Sequence, residues 1–367
     1  MSDNPLQRLR QLGQQVWLDE IRRGLVKSGE LARLIADDGL AGLTSNPAIF
    51  AKAISDTDDY HTDIKAAPPT LTTEALYEQL AIADIQSAAD AFASTYRQTN
   101  AETGYVSLEV SPHLALDTEG TIAAASRLWR AVDRPNVMIK IPGTREGLPA
   151  IRKTIASGIN VNVTLIFSVA RYREVLEAFL AGLADRKLTG ESINKIASVA
   201  SFFISRIDTL VDERLEQRIA AGHAGAASLR GTAGVASAGS AMQAYRDRIA
   251  KPDWQQLARA GARPQRLLWA STSTKNPAYS DVKYVEALIA ADTVNTMPPE
   301  TLAAYRDHGK PELRIDESVS TAPQVIAGLA QHDIDLEEVA AQLEAEGVRK
   351  FSDPYDRLLA VIDKVRR

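Results

Sequence analysis

Eight short apolar or β-branched segments recur along this chain, and most are followed by a longer segment whose apolar residues have helical spacing. The predicted strands are Val16–Asp19, Gly42–Asn46, Tyr105–Val110, Val137–Ile141, Val161–Phe167, Ile196–Phe203, Leu267–Ser271 and Thr293–Met297. Alternating strands and helices are typical of parallel βαβ units. Eight units can close a barrel, whereas an open doubly wound sheet more often has five or six strands. The sequence therefore predicts an α/β fold, the (β/α)8 or TIM barrel.

The helical segments complete this architecture. Those between the strands are Leu71–Tyr96, Thr118–Val132, Arg145–Ala156, Ser168–Leu183, Arg206–Ala221, Ala233–Ile249 and Asp281–Ala290. After the last strand follow Pro299–His308, Ala322–His332, Leu336–Ala345 and Pro354–Val365. A length of 367 residues would allow two domains, but barrels with insertions routinely exceed 250 residues. We expect residues 1–367 to form a single barrel domain, with about 299–367 as a helical extension packed on it.

Composition excludes several classes of function. Lys and Arg number 42 against 47 Asp and Glu, a net charge of −5, which argues against a nucleic-acid partner. The chain has no cysteine, so thiolate metal sites and a cysteine nucleophile are excluded. Its five histidines form no HxH or HExxH pair, which makes metal catalysis a weak rival. Met1–Pro5 lacks a signal-peptide pattern and no apolar run reaches 18 residues, so we expect a cytoplasmic protein with no membrane association.

A segment rich in small residues offers two interpretations. Gly222–Gly239 contains many Gly, Ala and Ser residues, as phosphate-binding loops do, but it has neither GxxxxGK[ST] nor GxGxxG. A loop leading into an alanine-rich helix is the favoured interpretation.

Polar residues inside the strands carry the functional information, because the strands of a closed parallel barrel should be apolar at nearly every position. With a side-chain period of two, aliphatic residues face the outer helices and the intervening polar residues face inward. The inward set is Ser107, Glu109, Lys140, Asn160, Asn162 and Thr164. Four more polar residues lie near the carboxyl ends of their strands, namely Asp19, Asn46, Ser201 and Ser271. Barrel enzymes keep their chemistry at that face.

Each of these residues also has a structural explanation. A single Asn or Ser at a strand end usually hydrogen-bonds to a loop backbone, and Asp19 could cap a nearby helix. Glu109 could pair with an arginine. Lys140 is harder to explain, since a lysine between isoleucines on a strand has little room to reach water and a buried ammonium must be paired or neutralised. A buried ion pair with Glu109 is the remaining structural alternative, although such pairs stabilise proteins poorly.

A buried lysine suits Schiff-base chemistry. Desolvation can lower the pKa of an amine by several units, and a neutral amine can attack a ketone to form an iminium. The iminium draws electrons from a neighbouring carbon–carbon bond, so a β-hydroxyketone can be cleaved without a metal or an organic cofactor. Asp19 could take the hydroxyl proton, and Glu109 and Thr164 could dehydrate the carbinolamine through a water. Asn46 and Asn162 could hold the hydroxyls of the bound fragment.

Several motifs resemble those of transaldolases. They are Thr44-Ser45-Asn46-Pro47, Val137-Met138-Ile139-Lys140-Ile141-Pro142 and the segment Ile159–Ser168. Trp17-Leu18-Asp19 and Leu268–Pro277 further resemble the longer bacterial members often called type 2. The resemblance covers essentially the whole chain. It implies a barrel of the class I aldolase superfamily that transfers dihydroxyacetone from sedoheptulose 7-phosphate to glyceraldehyde 3-phosphate in the pentose phosphate pathway, giving erythrose 4-phosphate and fructose 6-phosphate.

The resemblance also implies roles for individual residues. Lys140 would form the Schiff base, Asp19 and Glu109 would be the acid/base carboxylates, and Thr164 would hold the catalytic water. Contacts to the dihydroxyacetone unit would come from Asn46, Asn162 and Ser201. Arg206, five residues after that serine as in the family, would bind the phosphate. Ser271, at the end of its strand, is a further candidate substrate-binding residue. Lys275 stands close to the position of a second family arginine, which leaves the identity of that phosphate ligand open.

Two other functions are compatible with the sequence. An aldolase of the same superfamily would release dihydroxyacetone to water, as a fructose 6-phosphate aldolase does. In those relatives a tyrosine inside the barrel donates a proton, and the resemblance puts Phe203 at that position. A barrel that binds sugar phosphates without turnover is the second alternative. The expected partners are in all cases sugar phosphates.

Overall fold

A computed structural model describes residues 4–367 of the chain as a closed barrel of eight parallel strands in sequential order. The strands are β1 (Gln14–Leu18), β2 (Gly42–Leu43), β3 (Tyr105–Glu109), β4 (Val137–Pro142), β5 (Val161–Ile166), β6 (Ser198–Phe203), β7 (Arg266–Ala270) and β8 (Thr293–Met297). The predicted (β/α)8 barrel is confirmed. The first three residues, part of the segment used to look for a signal peptide, lie outside the described range.

The first strand begins earlier than the sequence pattern predicts. It starts at Gln14 instead of Val16 and ends at Leu18, one residue before Asp19. Gln14 and Gln15 are buried because neighbouring groups satisfy their amides: Gln14 donates to the Leu288 carbonyl at 2.8 Å and Gln15 to the Glu102 carbonyl at 3.1 Å. Polar residues can therefore occupy a buried strand, and apolar periodicity alone places its start too late.

The second strand is only two residues long, although five were predicted. Its first residue, Gly42, lies against the indole ring of buried Trp17, and a Cβ at this position would lie 2.5 Å from a ring atom. Glycine is thus required for β2 to reach β1. The rest of the predicted strand, residues 44–46, has no regular secondary structure and leads into the next helix, with Asn46 extended at its N-cap.

The helices before β8 surround the barrel. They are α1 (Pro5–Gln11), α2 (Arg23–Lys27), α3 (Glu30–Asp37), α4 (Pro47–Asp56), α5 (His61–Ala66), α6 (Thr73–Gln98), α7 (Thr118–Val132), α8 (Gly147–Ala156), α9 (Val169–Leu188), α10 (Ser205–Ala220), α11 (Ala233–Ile249), α12 (Pro252–Arg259) and α13 (Lys283–Ala287). The glycine-rich segment forms a loop with a short 3-10 turn and then α11, as favoured above. None of the helices formed by residues 4–367 is long and apolar enough to cross a membrane.

Three helices follow β8: α14 (Pro299–His308), α15 (Ile315–Gln331) and α16 (Leu336–Arg366). The prediction of two separate helices in the last segment was wrong, because α16 runs without interruption through Pro354. Proline removes one backbone hydrogen bond. Here a buried stripe continues on both sides of it, through Phe351, Tyr355, Leu358 and Ile362, and this packing holds the helix together.

The long helix α16 packs across several βα units. It contacts α4, α5, α6 and α10, and it also touches β5. Gly347 allows the close approach to β5, since a Cβ there would lie 3.0 Å from a methyl group of Leu165. Leu165 itself has a φ of +59° and lies in an irregularity of the β5–β6 pairing. This irregularity explains why Leu165 packs against α16.

The strand register sets the level of the inward-facing residues. Glu109 of β3 pairs with Lys140 of β4, and Lys140 pairs in turn with Asn162 of β5. Adjacent residues in a parallel sheet project on the same side. The register therefore places a carboxylate, an amine and an amide side by side, with all three side chains buried.

Candidate active site

A cavity of about 200 Å³ lies at the carboxyl end of the barrel strands. Nine of the eleven predicted site residues line it, namely Asp19, Asn46, Lys140, Thr164, Ser201, Phe203, Arg206, Ser271 and Lys275. They come from six different strands or from the loops directly after them. The closure of the barrel thus brings together residues that are more than 250 positions apart in the sequence.

Lys140 projects into this cavity from β4 and is only 4% exposed. Its ammonium lies 3.1 Å from a carboxylate oxygen of Glu109 and donates a hydrogen bond to the Ser45 carbonyl at 3.1 Å. The buried ion pair between Lys140 and Glu109, the structural alternative raised by the sequence, is therefore present. It does not withdraw the lysine from the cavity, because the amine still reaches the wall.

Glu109 lies behind Lys140 and does not line the cavity. Burial raises the pKa of its carboxyl group, and the neighbouring Lys140 opposes that rise. Its second oxygen has no hydrogen-bond partner within the described residues. A desolvated carboxyl group next to an amine is suited to hold a proton during one step and to return it in the next.

Asp19 faces the cavity from the end of β1. Its carboxylate accepts a hydrogen bond of 2.6 Å from the Thr44 hydroxyl, and Thr296 lies 2.8 Å from the same hydroxyl. Burial raises the pKa of Asp19, whereas Lys140, the Thr44 hydrogen bond and Arg206 lower it. The alternative role as a helix cap is not realised, since α2 is preceded by Arg22 at its N-cap position.

Thr164 has a fully buried hydroxyl for which the described residues provide no hydrogen-bond partner. Buried hydroxyls are nearly always hydrogen-bonded to protein or to ordered water. This orphan hydroxyl lines the cavity, which makes it a suitable place for a bound water or a substrate oxygen.

The amide and hydroxyl groups form a connected layer. Asn162 donates to the Ser107 hydroxyl at 3.0 Å and accepts from Ser201 at 2.7 Å, so it lies beneath the cavity wall and holds Ser201 in place. Asn46 lines the wall directly. Its side-chain oxygen accepts the Ile49 N–H at the start of α4, which leaves its NH₂ group to donate into the cavity.

Two further basic residues, Arg206 and Lys275, line the cavity. Arg206 is in the first turn of α10, has a buried Nη1 with no partner in the described residues, and stacks 5.2 Å from the centre of the Phe203 ring. Burial lowers its pKa and Asp19 opposes that effect. Lys275 is exposed and donates to Ser273 at 2.6 Å. Ser271 shares a 2.9 Å hydrogen bond with Ser205.

The segment after Ser271 differs from the prediction. The helix expected over Asp281–Ala290 is limited to Lys283–Ala287, and residues 271–282 contain no helix. Lys275 is therefore carried on a loop. Two side-chain contacts tie this loop and the start of α13 to α10: Tyr279 of the loop donates to Asp212 at 2.7 Å, and Lys283, the first residue of α13, lies 3.5 Å from Asp208.

Sequence reasoning missed several residues of the cavity wall: Thr44, Ser273, Thr296, Glu300 and Phe351. Thr44 could have been found, since it shares the inward parity of Asn46 in the same motif. Phe351 had no such signal. It comes from α16, and its position in the sequence says nothing about which strand it covers.

Comparison with known proteins gives a uniform result. Residues 16–362 match the model of the transaldolase/fructose-6-phosphate aldolase family. The chain is 45% identical over 368 residues to "Transaldolase 2" of Nostoc sp., an alignment covering 98% of this chain and 97% of the relative. It is 47% identical over 366 residues to "Transaldolase" of Saccharopolyspora erythraea, with the same coverage. It is also 47% identical over 358 residues to "Transaldolase" of Thermobifida fusca, an alignment covering 97% of this chain and 96% of the relative.

Proposed function

The chain belongs to the transaldolase family, and from that premise we propose that it transfers a dihydroxyacetone unit from sedoheptulose 7-phosphate to glyceraldehyde 3-phosphate through a Schiff base on Lys140. As a transaldolase, it takes sugar phosphates as substrates. One observation carries the assignment of the nucleophile. Lys140 is the buried lysine of the cavity, and it contacts a buried carboxylate while reaching the wall. Cytoplasmic location and a single-domain organisation stay predictions from the sequence.

The first half of the reaction forms and uses the Schiff base. The Lys140 amine attacks the C2 carbonyl of sedoheptulose 7-phosphate, and the carbinolamine loses its hydroxyl as water, with Glu109 and a water on Thr164 moving the protons. The C4 hydroxyl then gives its proton to Asp19. The C3–C4 bond breaks, its electrons form the C2–C3 double bond as the iminium electrons move to nitrogen to give an enamine, and erythrose 4-phosphate leaves.

The second half runs the same steps in reverse on a new aldehyde. The enamine carbon attacks C1 of glyceraldehyde 3-phosphate, and the oxygen formed there takes the proton back from Asp19. Water adds to the regenerated iminium, the carbon–nitrogen bond breaks, and fructose 6-phosphate leaves with Lys140 restored. Every proton returns to its origin, so no external cofactor is consumed.

Trapping of the intermediate tests this proposal. Borohydride reduces an iminium to a stable secondary amine, so protein treated with fructose 6-phosphate and borohydride should gain one fragment on the peptide containing Lys140. Mass spectrometry locates the modified residue. Label on another lysine would reject the assignment, and a protein that binds sugar phosphate without any label would be a binding barrel.

Arg206 is proposed to hold the substrate phosphate. The support is its unpartnered buried Nη1, its place in the first turn of α10 and its position on the cavity wall. We expect Arg206→Ala to raise KM for phosphorylated substrates by at least about tenfold, with some loss of kcat, because remote binding also positions the reacting carbon. Steady-state kinetics with fructose 6-phosphate measure both constants.

A matched variant controls for the loss of an arginine from α10. Arg218→Ala also removes an arginine from α10, but this residue is paired with Asp333 and does not line the cavity. It should leave KM unchanged. An Arg206→Ala enzyme with a normal KM would show that the phosphate is bound elsewhere.

Phe203 is proposed to favour transfer over release. Release of the fragment requires protonation of the enamine carbon, and a phenyl ring offers no proton. Phe203 lines the cavity beside Arg206 and also packs at 5.1 Å on Phe167. Phe203→Tyr adds one oxygen at nearly the same shape, so the fold should tolerate it. The variant should release dihydroxyacetone from fructose 6-phosphate, without acceptor, faster than the original enzyme and should lose part of its transferase rate.

Free dihydroxyacetone measured enzymatically decides this prediction. Phe167→Tyr is the control, since it adds the same hydroxyl on a neighbouring ring that does not line the cavity. Equal release by Phe203→Tyr and the original enzyme, in folded protein, would leave Phe203 with a packing role only.

A further inference from the structure

We infer that Phe351 of the C-terminal helix α16 is a fixed apolar cover that keeps water away from the enamine on Lys140. This inference rests on the proposed Schiff-base function. Phe351 is 4% exposed, and its ring centre lies 5.6 Å from the Lys140 ammonium. It is a cavity-lining residue that lies outside the eight βα units.

The placement of Phe351 is held on both sides along the helix. One turn earlier, Gly347 lets α16 approach Leu165 and Phe167 at the end of β5. One turn later, Tyr355 packs edge-on against Tyr77 of α6 with ring centres 5.4 Å apart. Residues four apart lie on the same helix face. The three contacts therefore fix the ring over the barrel, and the ring is not free to swing away as a side chain on a loop would be.

The chemistry explains why a cover is needed. The enamine must survive from the departure of the first aldehyde until the second one arrives. In the competing reaction a proton adds to the enamine carbon, water adds to the resulting iminium, and the carbon–nitrogen bond breaks to release dihydroxyacetone and the free amine. That route consumes one water overall. An apolar ring above the nitrogen occupies the space in which additional water would stand.

The two phenylalanines of the cavity act differently in this account. Phe203 lies at the arginine side of the cavity and withholds a proton donor. Phe351 lies over the amine and withholds water. A change at Phe351 should therefore raise release without adding any acidic group to the cavity.

The test measures how often the enamine is lost as free dihydroxyacetone instead of being transferred to an aldehyde. Phe351→Ala, Phe351→Leu and the original enzyme are given fructose 6-phosphate, and release of free dihydroxyacetone is compared with transfer to erythrose 4-phosphate. We expect the ratio of release to transfer to rise about tenfold in Phe351→Ala and to stay within about threefold of the original in Phe351→Leu, which restores most of the apolar volume. KM for fructose 6-phosphate is measured in the same assays.

Leu358→Ala is the matched control. Leu358 is fully buried on the same helix but does not line the cavity, so its truncation loosens α16 without uncovering Lys140. Thermal unfolding establishes that the variants are folded. A similar rise in release in Leu358→Ala, or an unchanged ratio in Phe351→Ala, would overturn the inference. If Phe351→Ala does not fold, Phe351→Val takes its place, with the same direction expected.

Borohydride trapping separates this inference from the function on which it rests. All variants should still be labelled on Lys140. Labelled enzyme with an unchanged ratio would reject only the role of Phe351, whereas absence of label in the original enzyme would reject the Schiff base itself.

Discussion

Replacement of Lys140 by methionine is expected to abolish transfer, with a loss of at least about a thousandfold in kcat. Methionine has a similar length and is apolar, so the cavity stays filled, but it cannot form an iminium. The nearby Lys275 cannot substitute, because it is exposed and held on the loop after β7. A coupled assay with sedoheptulose 7-phosphate and glyceraldehyde 3-phosphate measures the rate.

The substitution also removes the partner of a buried carboxylate. Breaking such a pair can cost about 3–5 kcal/mol, so the melting temperature must be measured with the rate. Burial raises the pKa of Glu109, and loss of Lys140 removes the main effect that opposes this rise. Glu109 can then become neutral by binding a proton, which limits the loss of stability.

Lys275→Met is the control for this experiment. It removes a lysine from the same cavity wall and should still be labelled by borohydride on Lys140. Transfer by folded Lys140→Met within about tenfold of the original, a difference of about 1.4 kcal/mol, would reject Lys140 as the nucleophile.

Asp19→Asn is expected to have the next largest effect, a loss of about 10²–10⁴-fold in kcat. The asparagine oxygen can still accept the Thr44 hydrogen bond, so the geometry is preserved while the base is removed. The Schiff base should form, but the C3–C4 bond should not break. Borohydride should therefore trap the whole fructose 6-phosphate on Lys140, where the original enzyme also traps the three-carbon fragment.

The pH dependence gives a second measurement on Asp19. Burial raises its pKa, and the reaction needs the ionised form to take the hydroxyl proton. Activity should thus be present above this raised pKa and be lost as the pH falls through it, at a higher pH than for an exposed aspartate. In a plot of activity against pH, this fall at low pH is the acidic limb, and Asp19→Asn should lack it.

Glu300→Gln provides the comparison for Asp19. Glu300 also lines the cavity and raises the pKa of Asp19 through its charge, but it is exposed. Its loss should shift the acidic limb slightly to lower pH and leave kcat nearly unchanged. A drop as large as that of Asp19→Asn would show that Asp19 is not the only base at this position.

The amino-acid sequence by itself determined the barrel and most of the polar wall of its cavity. Strand periodicity is local, so the inward direction of Lys140, Glu109 and Thr164 follows from two or three neighbours on each side. Parallel topology then requires that the carboxyl ends of all strands meet at one face. These two rules together are sufficient to group residues from six strands.

Only the tertiary structure decided which groups touch and what covers them. The sequence left open whether Glu109 pairs with Lys140, because that depends on strand register, which places the two side by side. It also placed a break before Pro354, since a local rule cannot weigh one lost hydrogen bond against the burial of Phe351 and Tyr355. The position of Phe351 over Lys140 depends on packing between segments more than 200 residues apart, and no local pattern encodes such a contact.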